Sequence, residues 1–385
     1  MINKIYILIF LVMFNFSLIE KTYSAEQFNF NITEIEILEN GNLFKGIKRG
    51  TISSDAGIII NADYFEYNKL LNQLKAKGNV KIIDTKKNYE IISDNILYLK
   101  NEEIIKTNGN SKAINNKITI YGENFEYNKN LNILSAKNKV KILDKVEDIS
   151  IFSEDITYKQ NNELIFSKGK TVSEIKSKYN FQSEDILFSR DKMILSSEKK
   201  TEIKDNNKNQ YLLDKFNYSI KDKKLKGKNI LMISNFDLPN SDKLFFKDGF
   251  FNLETKEFVA SDTKIILHPD LFGNEDNNPR IYGISSNSQN DITTLNKAVF
   301  TSCKIKDDNC PPWSINAEKI KHDKKKKQLI YDNAILKVYN FPVLYFPKFF
   351  HPDPTVKRQS GFLKPQINNS NELGESLHIP YFHVA

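Results

Sequence analysis

The chain has 385 residues, enough for two or three domains with a sizeable core, and its 56 Lys and Arg against 48 Asp and Glu give a formal charge of +8. Five His and two Cys leave little material for metal or acid–base chemistry, and no H-E-x-x-H, G-x-S-x-G or nucleotide-cradling Gly-rich loop occurs, so the composition points away from an enzyme and from any metal or other cofactor. The basic residues are spread along the chain, which reads as a solvated surface and argues against a nucleic-acid partner; the one tight run, Lys324 to Lys327, reads as an exposed turn.

At the N-terminus Lys4 opens a run, Ile5 to Ile19, that is apolar except for Asn15 and Ser17 and is followed by polar Glu20 to Ser24. This is the pattern of a secretory signal peptide, residues 1–24, with cleavage after Ser24 favoured over cleavage after Ala25. The rival is an uncleaved anchor, for which the run is short. Either way the remainder leaves the cytoplasm. No later segment has the length of a membrane-spanning helix, so a membrane domain would have to be a β-barrel.

From Gly57 onward the chain copies itself. D-Y-F-E-Y ending at Tyr67, N-I-L-Y at Tyr98, N-F-E-Y at Tyr127, D-I-T-Y at Tyr158, D-I-L-F at Phe188 and K-F-N-Y at Tyr218 follow at steps of 31, 29, 31, 30 and 30 residues. Eleven residues after four of these anchors stand Gly78, Gly109, Asn138 and Gly169, residue types that tolerate a left-handed or bulged backbone, so each unit is expected to bend there. The last two units carry Lys199 at that offset and Gly227 two residues early. Apolar residues alternate with polar ones at a period of two, and Asn-Lys, Lys-Asn and Asp-Asn pairs supply turns. Each unit therefore reads as two antiparallel strands, and the array as one long antiparallel all-β body.

Each unit presents one apolar and one charged face. The apolar stripe, with Phe65, Tyr67, Phe125, Tyr127, Ile156 and Tyr158, either closes into an ordinary core or lines a groove between two sheets that lie open like a folded leaf, shaped for an acyl chain. After Asn235 the register loosens through strands broken at Pro239, Gly249 and Pro269, and Gly273 to Pro279 reads as a loop. Cys303 and Cys310 would face an oxidising compartment; they are disulfide candidates, bonded to each other or to residues elsewhere. From Tyr339 to Pro365 five prolines lie among seven aromatics, which forbids a continuous helix and suits a junction between two bodies.

The marks T-S-C before W-S-I, H-D, N-A-I-L, F-P-V-L-Y-F-P, K-R-Q-S-G-F-L-K-P and P-Y-F-H-V-A together resemble the LptD family of lipopolysaccharide-assembly proteins, also called organic solvent tolerance proteins. The resemblance is strong from about Phe300 to Ala385; earlier it extends to the type of thirty-residue repeat. It implies a V-shaped periplasmic β-jellyroll over residues 25–300 that holds the acyl chains of lipid A, a junction over 301–360, and the first two strands of an outer-membrane β-barrel over 361–385. It further implies glycolipid leaving through a lateral gate weakened by Pro365 and Pro380, a junction motif comprising Lys357, Arg358, Ser360, Gly361 and Phe362, an LptE-like lipoprotein plug, and an LptA-like periplasmic carrier docked by edge-strand addition. Cys303 matches the family's periplasmic cysteine, whereas nearby Cys310 departs from the pattern. Because two strands cannot close a barrel, the sequence is expected to be a fragment of a longer chain. From a different class, a structural or adhesive surface β-solenoid would also fit the repeats, but it leaves the block from W-S-I to S-G-F-L-K-P without a role.

Overall fold

The computed structural model describes residues 28–236, 241–267, 278–303, 311–352, 356, 360–362, 366–370 and 374–384. The signal segment, Cys310, Lys357, Arg358 and Pro365, and most of the loop read at Gly273 to Pro279, lie outside the described residues. The described chain is built almost entirely of antiparallel strands, with two three-residue turns of 3-10 helix, Glu39–Gly41 and Gln160–Asn162. None of its helices is long and apolar enough to cross a membrane. It separates into two compact units, Met1–Asn116 and Lys117–Ala385, so the division falls inside the repeat array.

Within each unit the repeat takes one form. A twelve-residue strand such as Gln73–Asp84 has two halves: residues 73–77 pair with Tyr64–Asn68 and residues 81–84 with Ile58–Ala62. In the second unit Ile133–Asp144 does the same, pairing first with Asn124–Asn128 and then with Ile118–Gly122. Successive strands therefore build two half-sheets at once, joined through the middle of every long strand. Strict alternation turns one set of side chains inward in both halves: Leu74, Ala76, Val80 and Ile82 are buried while their neighbours are exposed or half-exposed.

The bend between halves lies where Gly and Asn predict it. Gly78, Gly109, Asn138 and Gly169 all have left-handed backbones, and the strand register slips by one residue beside them. A carboxylate four residues before the anchor fixes this geometry. Asp63 donates its amide N–H to the Gly78 carbonyl (3.1 Å) and accepts at Oδ2 from Asn79 Nδ2 (2.7 Å). Asp94 repeats the arrangement with Gly109 (3.0 Å) and Asn110 (2.8 Å). In the sixth unit the left-handed residue is Asn229, eleven after Tyr218, and Asp214 holds it through the Lys228 carbonyl (3.1 Å) and Asn229 Nδ2 (2.7 Å). Gly227, two residues early in the sequence alignment, has no positive φ, and neither has Lys199, where the chain instead breaks between Ile194–Ser197 and Thr201–Asp205.

After Asn235 the thirty-residue phase loosens as the sequence reading has it, but the ladder stays continuous, and Gly249 lies inside the strand Lys243–Asn252 rather than at a break. Eight strands from Lys224–Ile233 to Phe341–Pro352 form a continuous antiparallel meander with further left-handed residues at Asp262, Lys297 and Asn333. Their intervals lengthen to 33, 35 and 36 residues because the strands and turns are longer, so a fixed thirty-residue phase no longer finds them. The run Lys324 to Lys327 is an exposed turn in this meander.

The left-handed positions give a direct test. Gly169→Ala meets nothing within 4 Å and should lose only the backbone preference, about 1 kcal/mol. At Gly109→Ala the new Cβ would stand 2.5 Å from Asp94 Oδ2 and 3.1 Å from Asp94 Cβ, so about 1–3 kcal/mol more should be lost. Chemical denaturation of the two variants should rank them in that order; equal midpoints would contradict the role given to the carboxylate.

Candidate functional site

In each unit the interior between the half-sheets is the apolar feature that its repeats contribute to. Phe65 and Tyr67 are buried in the first unit, and Phe125, Tyr127, Ile156 and Tyr158 in the second. In the second unit the interior is closed and filled by rings that meet across the two halves. Phe181, on the half-sheet that pairs through Tyr179–Glu184, lies 5.3 Å from Phe216 and 5.2 Å from Tyr218 on the other half. Burial raises the hydroxyl pKa of Tyr211 and of Tyr218, so both stay protonated.

The ends of the strands carry polar devices that the repeats share. The residue five after each anchor, Asn72, Glu103, Asn132 and Glu163 in the first four units, has a left-handed backbone that closes a turn. The anchor tyrosine often reaches it: Tyr67 donates to Asn72 Oδ1 (2.9 Å), Tyr98 to Glu103 Oε2 (2.7 Å) and Tyr127 to Asn132 Oδ1 (3.4 Å). Asn and Glu alternate there. Asn72 donates to Asn101 Oδ1 and Asn132 to Asn161 Oδ1, each at 2.7 Å, so the structural period is two repeats.

In the second unit the rims of the two half-sheets are tied together by charge. Arg190, following the Leu187–Ser189 strand of one half, places Nε 2.6 Å from Asp144 Oδ2 at the far end of Ile133–Asp144, on the other half. Its Nη1 lies 3.1 Å from Glu163, which also pairs with Lys117. Arg190 and Asp144 are 9% and 2% exposed. Asp144 cannot be left uncompensated, although its Oδ1 also accepts the Val146 and Glu147 amides at 3.1 Å. Farther along the rim lies a cavity of about 130 Å³, lined by Ile175 and Tyr179 from one side and Tyr218 and Ile220 from the other, with Lys176, Lys178 and the ion pair of Lys223 with Glu254 around it. Neither the ion pairs nor this cleft was visible in the sequence, since Arg190 and Asp144 are 46 residues apart, the cleft residues are spread still more widely, and they meet only because the strand ends do.

At the end of the meander the interior is less covered. Its last cluster holds Phe300, Ile320, Leu329 and Tyr331, and Tyr331 shares a 2.8 Å hydrogen bond with His351 Nε2. Phe346 and Phe349 stack at 5.3 Å on the terminal strand and are only partly buried. Beyond them Ser360 Oγ accepts the Val384 amide at 2.9 Å, and Gly361 and Phe362 pair with Phe382 and Tyr381. The ladder resumes at Gln366 with His378, and neither Ile379 nor Pro380 is in a strand. Cys303 has no disulfide partner among the described residues; its carbonyl accepts from Arg280 Nη1 at 2.6 Å. Among the described residues no group of three or more His, Cys, Asp or Glu is placed to hold a metal ion.

These features define an all-β repeat protein with an apolar interior that charged rims close and a proline-interrupted hairpin follows. The chain is LptD-like: it is 40% identical over 88 residues to the LPS-assembly protein LptD of Legionella pneumophila strain Paris, covering 23% of this chain and 10% of that protein. It is 31% identical over 140 residues to LptD of Hahella chejuensis (34% and 15%), and 30% identical over 95 residues to LptD of Pseudomonas aeruginosa strain UCBPP-PA14 (25% and 10%). The chain thus spans about a tenth of the length of the first of these relatives. No family model matches. Among solved structures, LptH of Pseudomonas aeruginosa, the LptA homologous periplasmic component of a lipopolysaccharide transport device, aligns with 29% of this chain and 81% of its own at 15% identity. Its TM-score of 0.27 establishes no common fold.

Breaking the rim pair should be costly. Arg190→Met should lose about 3–5 kcal/mol by leaving Asp144 buried without its cation. Lys117 first, and then Arg190, hold the Glu163 carboxyl below its usual value against the opposing effect of burial. A lowered folded pKa gives stability that is present above the unfolded value and lost as pH falls through the folded one. Denaturation midpoints should therefore decline as pH drops below about 4.5, and Glu163→Gln should remove part of that decline.

Proposed function

We propose that this chain is part of a lipopolysaccharide transport and outer-membrane assembly protein. Its repeats would receive the glycolipid from a periplasmic carrier and pass it to a lateral gate in an outer-membrane barrel, for insertion in the outer leaflet. The observation that carries this reading is the apolar interior, rebuilt at every repeat and only partly covered at Phe346 and Phe349, on the strand that precedes the Gly361 hairpin in the chain. Likeness to LptD over 88 to 140 residues supports it. An adhesive solenoid gives that likeness no role.

In this reading acyl chains occupy the space now filled by Phe125, Tyr127, Ile156 and Tyr158, so the half-sheets must part along the rim that Arg190 and Asp144 close. Lys176 and Lys178, around the rim cleft, are the cations best placed for lipid A phosphates, whereas Lys223 there is paired with Glu254. The carrier would add a strand to Ile35–Leu38, which pairs on one side with Leu43–Gly46, is exposed at all four residues and contains no proline. An LptE-like lipoprotein would plug the barrel, whose first strands would be those at Gly361 and Tyr381. The protein would catalyse no reaction, and energy for transport would come from elsewhere. Cys303 would bond Cys310 or a cysteine in a further part of the protein.

Residues 1–24 would be the signal peptide, 25–300 the periplasmic array, 301–360 the junction and 361–385 the start of the barrel, including the junction motif Lys357, Arg358, Ser360, Gly361 and Phe362. Pro365 and Pro380 would weaken the gate strands, because proline gives a ladder no N–H.

Two measurements test this. A photo-crosslinking residue at Phe125 or Tyr127 should capture lipopolysaccharide in cells; no adduct at these or other anchor positions would favour a permanently closed core. In the full-length protein, Pro365→Ala with Pro380→Ala should slow the appearance of lipopolysaccharide at the cell surface, and an unchanged rate would refute the gate.

A further inference from the structure

Among the described residues the largest run of exposed apolar side chains lies on the last strand of the meander and the turn before it. Tyr339 and Phe341 are 70% and 76% exposed, and Val343, Leu344, Tyr345 and Phe350 are exposed by half or more. Phe341–Pro352 pairs only with Gln328–Val338 among the described residues. An exposed apolar edge of this length normally invites another strand. Here Pro342, Pro347 and Pro352 remove three N–H groups from one twelve-residue strand, which disfavours extension of the ladder. The covering surface must therefore take up apolar and aromatic groups without asking for backbone hydrogen bonds. A lipid surface does this; a β-strand partner does not.

The turn points the same way. Tyr339 and Asn340 both have left-handed backbones, φ 45° and 67°, where a tight hairpin would favour Asn-Gly. A bulky ring in that conformation is strained, and the strain sets a tyrosine at the tip beside Phe341. Tyrosine and phenylalanine at such a tip match the residues that collect at membrane–water interfaces, where a ring lies among acyl chains and a hydroxyl stays wet. Distance allows it as well. Gly361 stands nine residues after Pro352, so at most about 30 Å of chain separates this strand from the hairpin.

We propose that the Phe341–Pro352 strand and its preceding turn lie against the periplasmic phospholipid surface of the outer membrane, as an aromatic anchor that seats the meander on the bilayer. The proposal rests on the reading of the Gly361 hairpin as the start of a membrane barrel. The anchor is a contact surface separate from the gate, and it fixes the last interior rings, Phe346 and Phe349, at the level of the lipid headgroups.

The test uses tryptophan fluorescence, because Trp313 is the single tryptophan of the chain. On a Trp313→Phe background, Phe341→Trp, Tyr345→Trp, Tyr381→Trp and, as a buried control, Tyr67→Trp are placed one at a time in the full chain. Each variant is assembled into phosphatidylethanolamine and phosphatidylglycerol vesicles with or without brominated acyl chains. Bromolipid should lower emission at positions 341 and 345 by about half and leave position 67 unchanged, as for rings at the interface and away from it. Quenching at 381 without quenching at 341 and 345 would overturn the anchor and leave the barrel reading standing. Quenching at none of the three would overturn the barrel reading and the anchor with it. If 341 and 345 resist both bromolipid and aqueous iodide, a protein covers the strand and the anchor is again overturned.

Discussion

The structure depends on a left-handed residue in the middle of alternate long strands, such as Gln73–Asp84 and Ile133–Asp144, and on the carboxylate that satisfies it. A flat strand of twelve residues would bury one face of one sheet. A strand that slips register at Gly78 or Asn138 instead serves two half-sheets, turning the inner residues of both toward one interior. Asp63, Asp94 and Asp214 each give an amide N–H and take one from the neighbouring Asn, leaving the bulge with few unpaired groups. The repeat in the sequence is the repeat of this device: the apolar anchor sets what is buried, and the acid four residues earlier sets where the chain bends.

A closed interior follows from that geometry, and so does its weakest line. The half-sheets are covalently continuous along the bulges. Elsewhere among the described residues they meet through side chains: rings of the interior such as Phe181 against Phe216, and on the rim charges such as Arg190 with Asp144. Buried ion pairs contribute little net stability but resist the loss of one partner. Such a pair suits a seam that holds until something can occupy both the apolar interior and the charged rim. A glycolipid with acyl chains and phosphates has that chemistry.

Much of this was legible in the sequence. Tyr67, Tyr98, Tyr127 and Tyr158 fix the phase, the period-two alternation fixes the strands, and Gly78, Gly109 and Gly169 mark bends because few other residues take that backbone. Asn229 was harder to see, since Asn is common in the chain and nearby Gly227 drew the alignment. After Asn235 the thirty-residue phase fades because longer strands change the repeat length, and Gly249, read as a break, is accommodated inside its strand. The alternation of Asn72 and Asn132 with Glu103 and Glu163 is hidden when units are aligned only by their apolar residues. The rim pairs were out of reach, because Asp144 and Arg190 become neighbours only once two strands are known to end side by side. The six interior candidates are all buried, two in the first unit and four in the second, whereas Pro380 and Ser360 belong to a different structure, the hairpin at Gly361.

The central claim is that the rim parts to admit a glycolipid. Spin labels at Val146 and Lys192, on the two rims of the second unit, with Cys303 and Cys310 replaced by Ser, allow their separation to be measured by pulsed electron paramagnetic resonance. Adding lipopolysaccharide should shift the distance distribution to longer values, and more readily in Arg190→Met than in the parent. A distribution that stays unchanged while lipopolysaccharide is bound would contradict the account.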